Sequence, residues 1–188
     1  GTSLKSALDL VKKFRSTNSN TPIVFMGYMN TFESMGAERF MIEAVDVGVD
    51  GILIVDMPPE ESSSFSEQAK KYDIDIIRLI APTTSSERAQ KISSQSSGYI
   101  YYISVKGITG ASNIDSDDVK DKVRILRTYT DLPIAIGFGI KDSDSASSVK
   151  DVADGIVAGS VFVDLIGQGE DIIEKVASKT KELSKVLQ

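Results

Sequence analysis

Six short runs of valine, isoleucine and other apolar residues constrain the fold of this chain more than any other feature of its sequence. Most of the runs are apolar at consecutive positions rather than at every second one, which is typical of strands buried on both faces of a parallel sheet. They cover residues 22–28, 51–57, 74–81, 99–104, 133–139 and 155–161. We therefore expect a parallel sheet to form the frame of the protein.

Segments with helical spacing of apolar residues lie between these runs and at both ends of the chain. They cover residues 4–15, 33–47, 60–72, 85–93, 117–129, 142–152 and 170–187. Alternating strands and helices predict right-handed βαβ units. The sequence therefore predicts a leading helix followed by six βα units. This order fits either an open doubly wound sheet or a (β/α)8 barrel, which has eight strands and typically about 250 residues.

The composition limits the chemistry that such a chain can perform. Its 188 residues contain neither cysteine nor histidine, and the net charge is −6. Acid–base chemistry therefore falls to carboxylates, lysine or tyrosine, and no metal site is expected. The acidic balance argues against nucleic-acid binding. Because no membrane span or signal peptide is visible, we expect a cytoplasmic protein with one domain over residues 1–188.

Small residues follow the last two predicted strands. Gly137 and Gly139 end one strand, while Gly159 and Ser160 end the next. Ligands of parallel βα proteins bind at these carboxyl ends, where backbone N–H groups and a short helix can hold a phosphate without lysine or arginine. We expect the short helix near residues 164–166. The alternative is that the glycines only permit tight turns and close packing.

Three further features lie at other predicted strand ends. The segment SVKGITGA (104–111) has the glycines of a mobile lid, although it could also be a loop without function. Asp56 ends the run GILIVD, where it either faces a pocket or caps the turn at Met57 and Pro58. Tyr28 follows the first strand, and Tyr101 lies within the run YIYYIS. Both predict an apolar pocket for a planar ligand portion, although tyrosines in strands are as often core residues.

Taken together, these segments resemble the family of tryptophan synthase α subunits. The similar segments are PIVFMGYMN (22–30), GVDGILIVDMPPEES (48–62), IRLIAPTT (77–84), SSGYIYYISVKGITGA (96–111), PIAIGFGIK (133–141) and ADGIVAGSVFV (153–163). The resemblance implies an α/β fold, the (β/α)8 TIM barrel, of which this chain has a leading helix and six βα units, strands 3–8. It also implies a lyase of tryptophan biosynthesis, which cleaves indole-3-glycerol phosphate by a retro-aldol reaction into indole and glyceraldehyde 3-phosphate.

The resemblance implies partners and site residues as well. The α subunit needs no metal or cofactor, and it joins a pyridoxal-phosphate-dependent β subunit in an α2β2 complex. Thr109 is similar to the lid residue that orders the catalytic aspartate, and Asp56 to a supporting carboxylate near the β-subunit face. Phe138 is expected beside the glycerol chain of the substrate. The expected pocket walls are Met26, Tyr28, Val55 and Tyr101, and the expected phosphate cradle is Gly110, Gly137, Gly139, Gly159 and Ser160.

The two catalytic carboxylates of the family have no counterpart here. The family carries them in segments like ELGIPFSDP and LADGP, and neither segment occurs in residues 1–188. We therefore expect two edge strands without a pairing partner. We also expect that the chain alone binds a phosphate ligand weakly and does not cleave the substrate. The alternatives are a non-catalytic partial barrel that associates with another chain, and another phosphate-binding (β/α)8 enzyme. Epimerases and isomerases of that kind use histidine or cysteine, which this chain lacks.

Overall fold

The apolar runs become strands, each shortened relative to its prediction. A computed structural model describes residues 2–58, 60, 62–104, 116–137 and 139–187. All four residues of the second strand are buried, as expected for a strand covered on both faces. The strands are β1 (Val24–Gly27), β2 (Gly51–Ile54), β3 (Asp75–Ile80), β4 (Ile100–Ile103), β5 (Ile134–Gly137) and β6 (Gly155–Val157).

Helices precede β1 and follow every strand. The first begins and ends where the sequence predicts, because Ser3 caps its start through a reciprocal hydrogen-bond pair with Ser6. The helices are α1 (Leu4–Arg15), α2 (Met29–Glu33), α3 (Ala37–Val47), α4 (Ser63–Lys71), α5 (Ser86–Ser94), α6 (Ser116–Leu126), α7 (Ser143–Ser147), α8 (Ser160–Gly167) and α9 (Ile172–Ser184).

The described residues form two compact units, each with three parallel strands. The first unit runs to Arg78 and includes Gln95–Gly98; there β2 pairs with both β1 and β3. The second unit contains Leu79–Ser94 and the described residues from Tyr99 onward; there β5 pairs with both β4 and β6. The single domain expected from the sequence stays a prediction.

Each unit has its own apolar core between its strands and its helices. In the first unit the rings of Phe32 and Phe40 lie 4.9 Å apart and are almost completely buried. In the second unit Ile134 and Ile136 pack with residues of the surrounding helices. Fully burying a side chain of this size stabilises the fold by about 1.5–3 kcal/mol. These buried side chains hold the helices against the strands in each unit.

Two predicted helices differ from the structure. The segment predicted as one helix over residues 33–47 is interrupted at Gly36, whose φ of +85° is left-handed, so that α2 ends before it and α3 begins after it. The helix predicted over residues 142–152 begins correctly, since Asp142 accepts a hydrogen bond from the Ser145 N–H. It ends at Ser147, because its serines and aspartate are weak helix formers.

An aspartate in front of a strand has the same role in both units. Asp50 precedes β2, accepts a hydrogen bond from the Ile23 N–H, and pairs with Arg15 at 2.7 Å. In the second unit, Asp154 precedes β6, accepts from the N–H of Ile134, and pairs with Arg127 at 2.6 Å. Each aspartate therefore ties the amino-terminal ends of two neighbouring strands to the end of a helix.

Replacing Asp154 with asparagine is expected to lower the free energy of unfolding by about 1 kcal/mol at neutral pH, because the ion pair is half exposed. Burial opposes ionisation of Asp154, but the Ile134 N–H and the Arg127 guanidinium outweigh it and lower the carboxyl pKa. The stabilisation that Asp154 provides is thus complete above the pKa of an ordinary aspartate. It disappears as the pH falls through the lower pKa that Asp154 has in the folded protein. Urea titrations from pH 7 to pH 2.5 should show the two proteins converge, and a constant difference would contradict this role.

Both ends of the described chain present unpaired strand edges and exposed apolar faces. Within the described residues, β1 pairs only with β2, and β6 only with β5, as the sequence led us to expect. Leu10 of α1 is 67% exposed beside a groove of about 430 Å³ between α1 and β1. No residue of α8 is buried. Such faces usually mark contact surfaces.

Candidate functional site

In the first unit, the ends of β1 and β2 carry the predicted pocket walls. The Val55 N–H donates to the carbonyl of Gly27 at 3.0 Å, which holds the two strand ends side by side. Met26 and Tyr28 are 55% and 59% exposed, and Val55 is also exposed. Large apolar side chains at the carboxyl ends of parallel strands are suited to contact a ligand there.

Asp56 links the end of β2 to the start of α2. Its Oδ1 accepts a hydrogen bond from the Met29 N–H at 2.7 Å, where Tyr28 provides no side-chain cap. A carboxylate at a helix N-terminus is favourable, because it satisfies a free N–H group and complements the helix dipole. Asp56 thus caps a neighbouring helix, a contact that neither of the two expectations from the sequence had named.

In the second unit, Gly137 is a glycine because Tyr101 needs the space. A Cβ atom built on Gly137 would collide with the hydroxyl and the ring of Tyr101, which is only 4% exposed. The carbonyl of Gly137 accepts hydrogen bonds from both the N–H and the hydroxyl of Ser104 at the end of β4. Packing therefore explains Gly137, while its assignment to the phosphate cradle stays a prediction.

Gly159 differs from Gly137 because nothing in the described chain accounts for the absence of a side chain at this position. A Cβ atom on Gly159 would meet no atom within 4 Å, and the residue is exposed at the N-terminus of α8. The helix is longer than the expected segment over residues 164–166 and begins directly at Ser160. It carries no acidic residue in its first turn and no side-chain cap. The open N–H groups of such a turn can hold an anion.

Gly139 adds a second exposed stretch of backbone in the same unit. Its φ of +85° lies in the left-handed region, which favours glycine. It follows β5, whereas Gly159 follows β6, and these two strands are paired neighbours. The structure therefore brings the two predicted glycine segments to adjacent strand ends.

Tyr99 and Tyr101 remain neutral near physiological pH. Burial raises the pKa of Tyr101, and the nearby Tyr99 raises it further. Burial likewise raises the pKa of Tyr99. Tyr101 can therefore form a pocket wall and donate a hydrogen bond, but it is not suited to act as a base near pH 7.

Some predicted site residues cannot be placed, and two contacts were missed. Thr109, Gly110 and Phe138 lie outside the described residues. Sequence reasoning did not predict that Ser104 holds Gly137 or that Asp56 caps α2. The polar residue directly after the apolar run YIYYI was the available signal for Ser104, whereas nothing local indicated the partner of Asp56.

Other kinds of site receive no support from the described part of the chain. It contains no group of three or more aspartate or glutamate residues placed to hold a metal ion. Of the helices described, none combines the length and the hydropathy needed to cross a membrane.

The strands are parallel and alternate with helices, and a helix N-terminus lies open beside the end of a strand. These features define the class of α/β proteins that are built like the (β/α)8 barrel. The sequence model of the family "Tryptophan synthase alpha chain" matches residues 1–188. The chain belongs to the tryptophan synthase alpha chain family. Its fold is accordingly α/β, with six βα units of a (β/α)8 barrel, and the family is one of lyases in tryptophan biosynthesis.

Individual relatives agree with this assignment. The chain is 48% identical over 168 residues to the tryptophan synthase alpha chain of Marinobacter nauticus, covering 89% of this chain and 62% of the relative. It is 41% identical to the tryptophan synthase alpha chain of Acinetobacter baumannii, and the match covers 100% of this chain and 71% of that relative. The chain thus spans about two thirds of the length of these relatives.

Solved structures are similar as well. A tryptophan synthase alpha chain from Legionella pneumophila superposes with a TM-score of 0.86 at 30% identity, covering 99% of this chain and 70% of that one. A chain from the tryptophan synthase a2b2 complex of Pyrococcus furiosus gives a TM-score of 0.88 at 36% identity, and the match covers 98% of this chain and 75% of that one.

Proposed function

We propose that this chain provides the substrate-holding part of a tryptophan synthase alpha chain. The reaction is the retro-aldol cleavage of indole-3-glycerol phosphate to indole and glyceraldehyde 3-phosphate. The observation that carries the proposal is the open N-terminus of α8, where Gly159 has no packing reason to be glycine. This site suits the phosphate of an anionic substrate in a protein of net charge −6, because backbone N–H groups supply the attraction.

The residues of the second unit have separate roles in this proposal. The first turn of α8, together with Gly139, holds the phosphate through backbone N–H groups. Tyr101, seated against Gly137, forms a rigid wall for the organic part of the substrate. Ser104 keeps the end of β5 in place through its two hydrogen bonds to Gly137. Met26, Tyr28 and Val55 of the first unit stay predicted pocket walls, as the family resemblance implies.

Cleavage also requires two carboxylates that residues 1–188 do not supply. The retro-aldol step needs a proton on the indole ring carbon and stabilisation of the positive charge on the ring nitrogen. The family resemblance assigns these tasks to the glutamate and the aspartate of segments like ELGIPFSDP and LADGP. Each general acid or base typically accelerates a reaction by about 10²–10⁴-fold. We therefore expect ligand binding, but no useful turnover, from the 188-residue chain by itself.

A β subunit that binds pyridoxal phosphate completes the proposed assembly. The relative from P. furiosus was solved as an a2b2 complex, which supports such a partner for this chain. The indole product would pass to the β subunit, and no cofactor is assigned to this chain. Asp56, which caps α2 at an exposed strand end, is the supporting carboxylate expected near the partner.

A glycine substitution tests the phosphate site directly. Gly159→Ala is expected to weaken binding of indole-3-glycerol phosphate about tenfold or more, since a Cβ would keep the phosphate from the N–H groups and cost a charge-assisted hydrogen bond. The thermal unfolding midpoint should not change, because the Cβ meets no atom of the described chain within 4 Å. As the chain contains no tryptophan, the indole fluorescence of the ligand can follow the titration.

Gly167→Ala is the matched control for this experiment. Gly167 lies at the opposite end of α8, and a Cβ there also meets no atom of the described chain within 4 Å. This variant should bind like the unaltered chain. The proposal fails if the unaltered chain shows no saturable binding, if both variants bind equally well, or if indole-3-glycerol without its phosphate binds as tightly as the phosphate ester.

A further inference from the structure

All five methionines of residues 1–188 lie between positions 26 and 57, and they differ widely in exposure. Met26 in β1 is 55% exposed, whereas Met41 in α3 is completely buried. Met29, Met35 and Met57 are partly buried and pack against the apolar core of the first unit. Met26 is therefore the methionine whose side chain a reagent in solution reaches most easily.

The side chain of Met26 lies on the face of β1 that points away from this core. Successive residues of a strand point to opposite faces, and the preceding Phe25 packs against the core. Tyr28 follows two residues later along an extended backbone and is 59% exposed. Val55 is also exposed, and its N–H donates to the carbonyl of Gly27, which lies between Met26 and Tyr28. We call Met26, Tyr28 and Val55 the methionine patch, an exposed apolar surface at the ends of two paired strands.

The thioether of Met26 makes this patch sensitive to oxidation. A hydroperoxide transfers one oxygen atom to a methionine sulfur, so that an S–O bond forms and the O–O bond breaks. The second oxygen takes up the proton of the first and leaves as water or an alcohol, and the sulfur loses two electrons to the peroxide. Residues 1–188 contain no cysteine, so no thiol of this chain competes for the oxidant. The product is a polar sulfoxide in place of a flexible apolar side chain.

We propose that Met26 is a redox-modification site, at which a hydroperoxide forms methionine sulfoxide and thereby lowers the affinity of the methionine patch for an aromatic ring. The unmodified thioether and the exposed Tyr28 ring offer an apolar contact surface. The sulfoxide oxygen holds water, which a ring covering the patch would have to displace. Methionine sulfoxide reductases reverse the change, because the oxygen leaves as water while a dithiol becomes a disulfide.

The oxidation can be followed at each methionine separately. A chain labelled with ¹³C in its methionine methyl groups carries five labelled methyls, which single methionine-to-leucine variants assign in NMR spectra. Each signal moves when its sulfur is oxidised. In hydrogen peroxide, the Met26 signal should convert at least about tenfold faster than that of Met41, which the peroxide reaches only when the core opens. The proposal is overturned if any other methionine is converted as fast as Met26.

Binding of indole-3-glycerol phosphate measures the consequence, and this part of the inference rests on the proposed function. Oxidation of Met26 should weaken binding about fivefold, the effect of losing one sulfur–aromatic contact. The two reductases, one for each sulfoxide epimer, should restore the affinity when dithiothreitol is present. In Met26→Leu the affinity should no longer respond to peroxide. Met35→Leu is the matched control, because it removes a partly buried methionine outside the patch and should stay as sensitive as the unaltered chain.

The outcomes separate this proposal from the proposed function. If the untreated chain shows no saturable binding, the proposed function fails, and the effect of Met26 on the ligand fails with it. If binding is normal but unchanged after complete oxidation of Met26, the redox proposal alone is overturned. An equal loss of affinity in peroxide-treated Met26→Leu would overturn it as well.

Discussion

Replacing Gly137 with alanine should eject the ring of Tyr101 from its place and disrupt the second unit. The added Cβ would overlap the Tyr101 hydroxyl and ring, which are buried, so the side chain must shift. Overpacking of this kind typically costs about 1–3 kcal/mol of folding free energy. Because Tyr101 is also the proposed substrate wall, binding of indole-3-glycerol phosphate should fall by more than the tenfold expected for Gly159→Ala.

A double-mutant cycle identifies the cause of this loss. Shortening Tyr101 to leucine removes the atoms that the new Cβ would meet, so Gly137→Ala should cost much less in a Tyr101→Leu background. We expect a coupling free energy of about 1–3 kcal/mol, as is usual for residues in direct contact. Urea denaturation of the four proteins measures it, and the fluorescence titration measures the parallel change in ligand affinity.

Gly155→Ala is the matched control within the neighbouring strand. A Cβ on Gly155 would lie 3.7 Å from the Cβ of Ala135, an ordinary contact, so this variant should be close to neutral. If Gly137→Ala were equally harmless, or equally costly with and without Tyr101, the contact would not explain the glycine.

Fusing the missing catalytic segments to this chain should produce an active enzyme. The helix α1 precedes β1, and a right-handed crossover would place a preceding strand parallel to β1 on its unpaired edge. We therefore expect that an amino-terminal part with the family's ELGIPFSDP-like and LADGP-like segments, joined ahead of α1, pairs with β1 and brings the two carboxylates to the strand ends. Indole release from indole-3-glycerol phosphate, undetectable for the 188 residues alone, should then become measurable.

Two controls distinguish catalysis from improved folding in this fusion. Changing the glutamate of the ELGIPFSDP-like segment to glutamine should reduce turnover by at least about 100-fold while substrate affinity is kept. Leu10→Asp places a charge in the exposed groove beside α1, so it should impair the fusion but hardly affect the chain alone. Indole release by the unfused chain, or a fusion that folds and binds substrate without turnover, would contradict the assignment of the catalytic groups.

The positions of the strands and of several helices could be predicted from local sequence. Runs such as GILI and IYYI are apolar on both faces, and this pattern alone distinguishes a doubly buried strand from a surface element. The bounds of α1 followed from its capping serine and its apolar spacing. The break at Gly36 was not recognised, because a glycine inside a helical pattern is often tolerated and only its left-handed φ reveals the interruption.

The candidate site was predicted in outline but not in its contacts. Position at a strand end was enough to select Gly139, Gly159 and Asp56, since carboxyl ends of parallel strands converge. Local sequence could not distinguish a glycine needed for packing from one open to a ligand. Gly137 and Gly159 have similar surroundings in sequence, yet the first is covered by Tyr101 and the second faces open space.

The sequence by itself determined the α/β class and the order of the βα units, because these depend on apolar periodicity. It also determined the family, through the resemblance of six segments to the family's sequences. Only the tertiary structure decided which partner each of these residues has. Asp56 caps a helix that begins 27 residues earlier, Asp154 ties two strands to Arg127, and the Tyr102 hydroxyl lacks a described partner. The physical reason is that hydrogen bonds and steric contacts act over a few ångströms in space, between groups that are far apart along the chain.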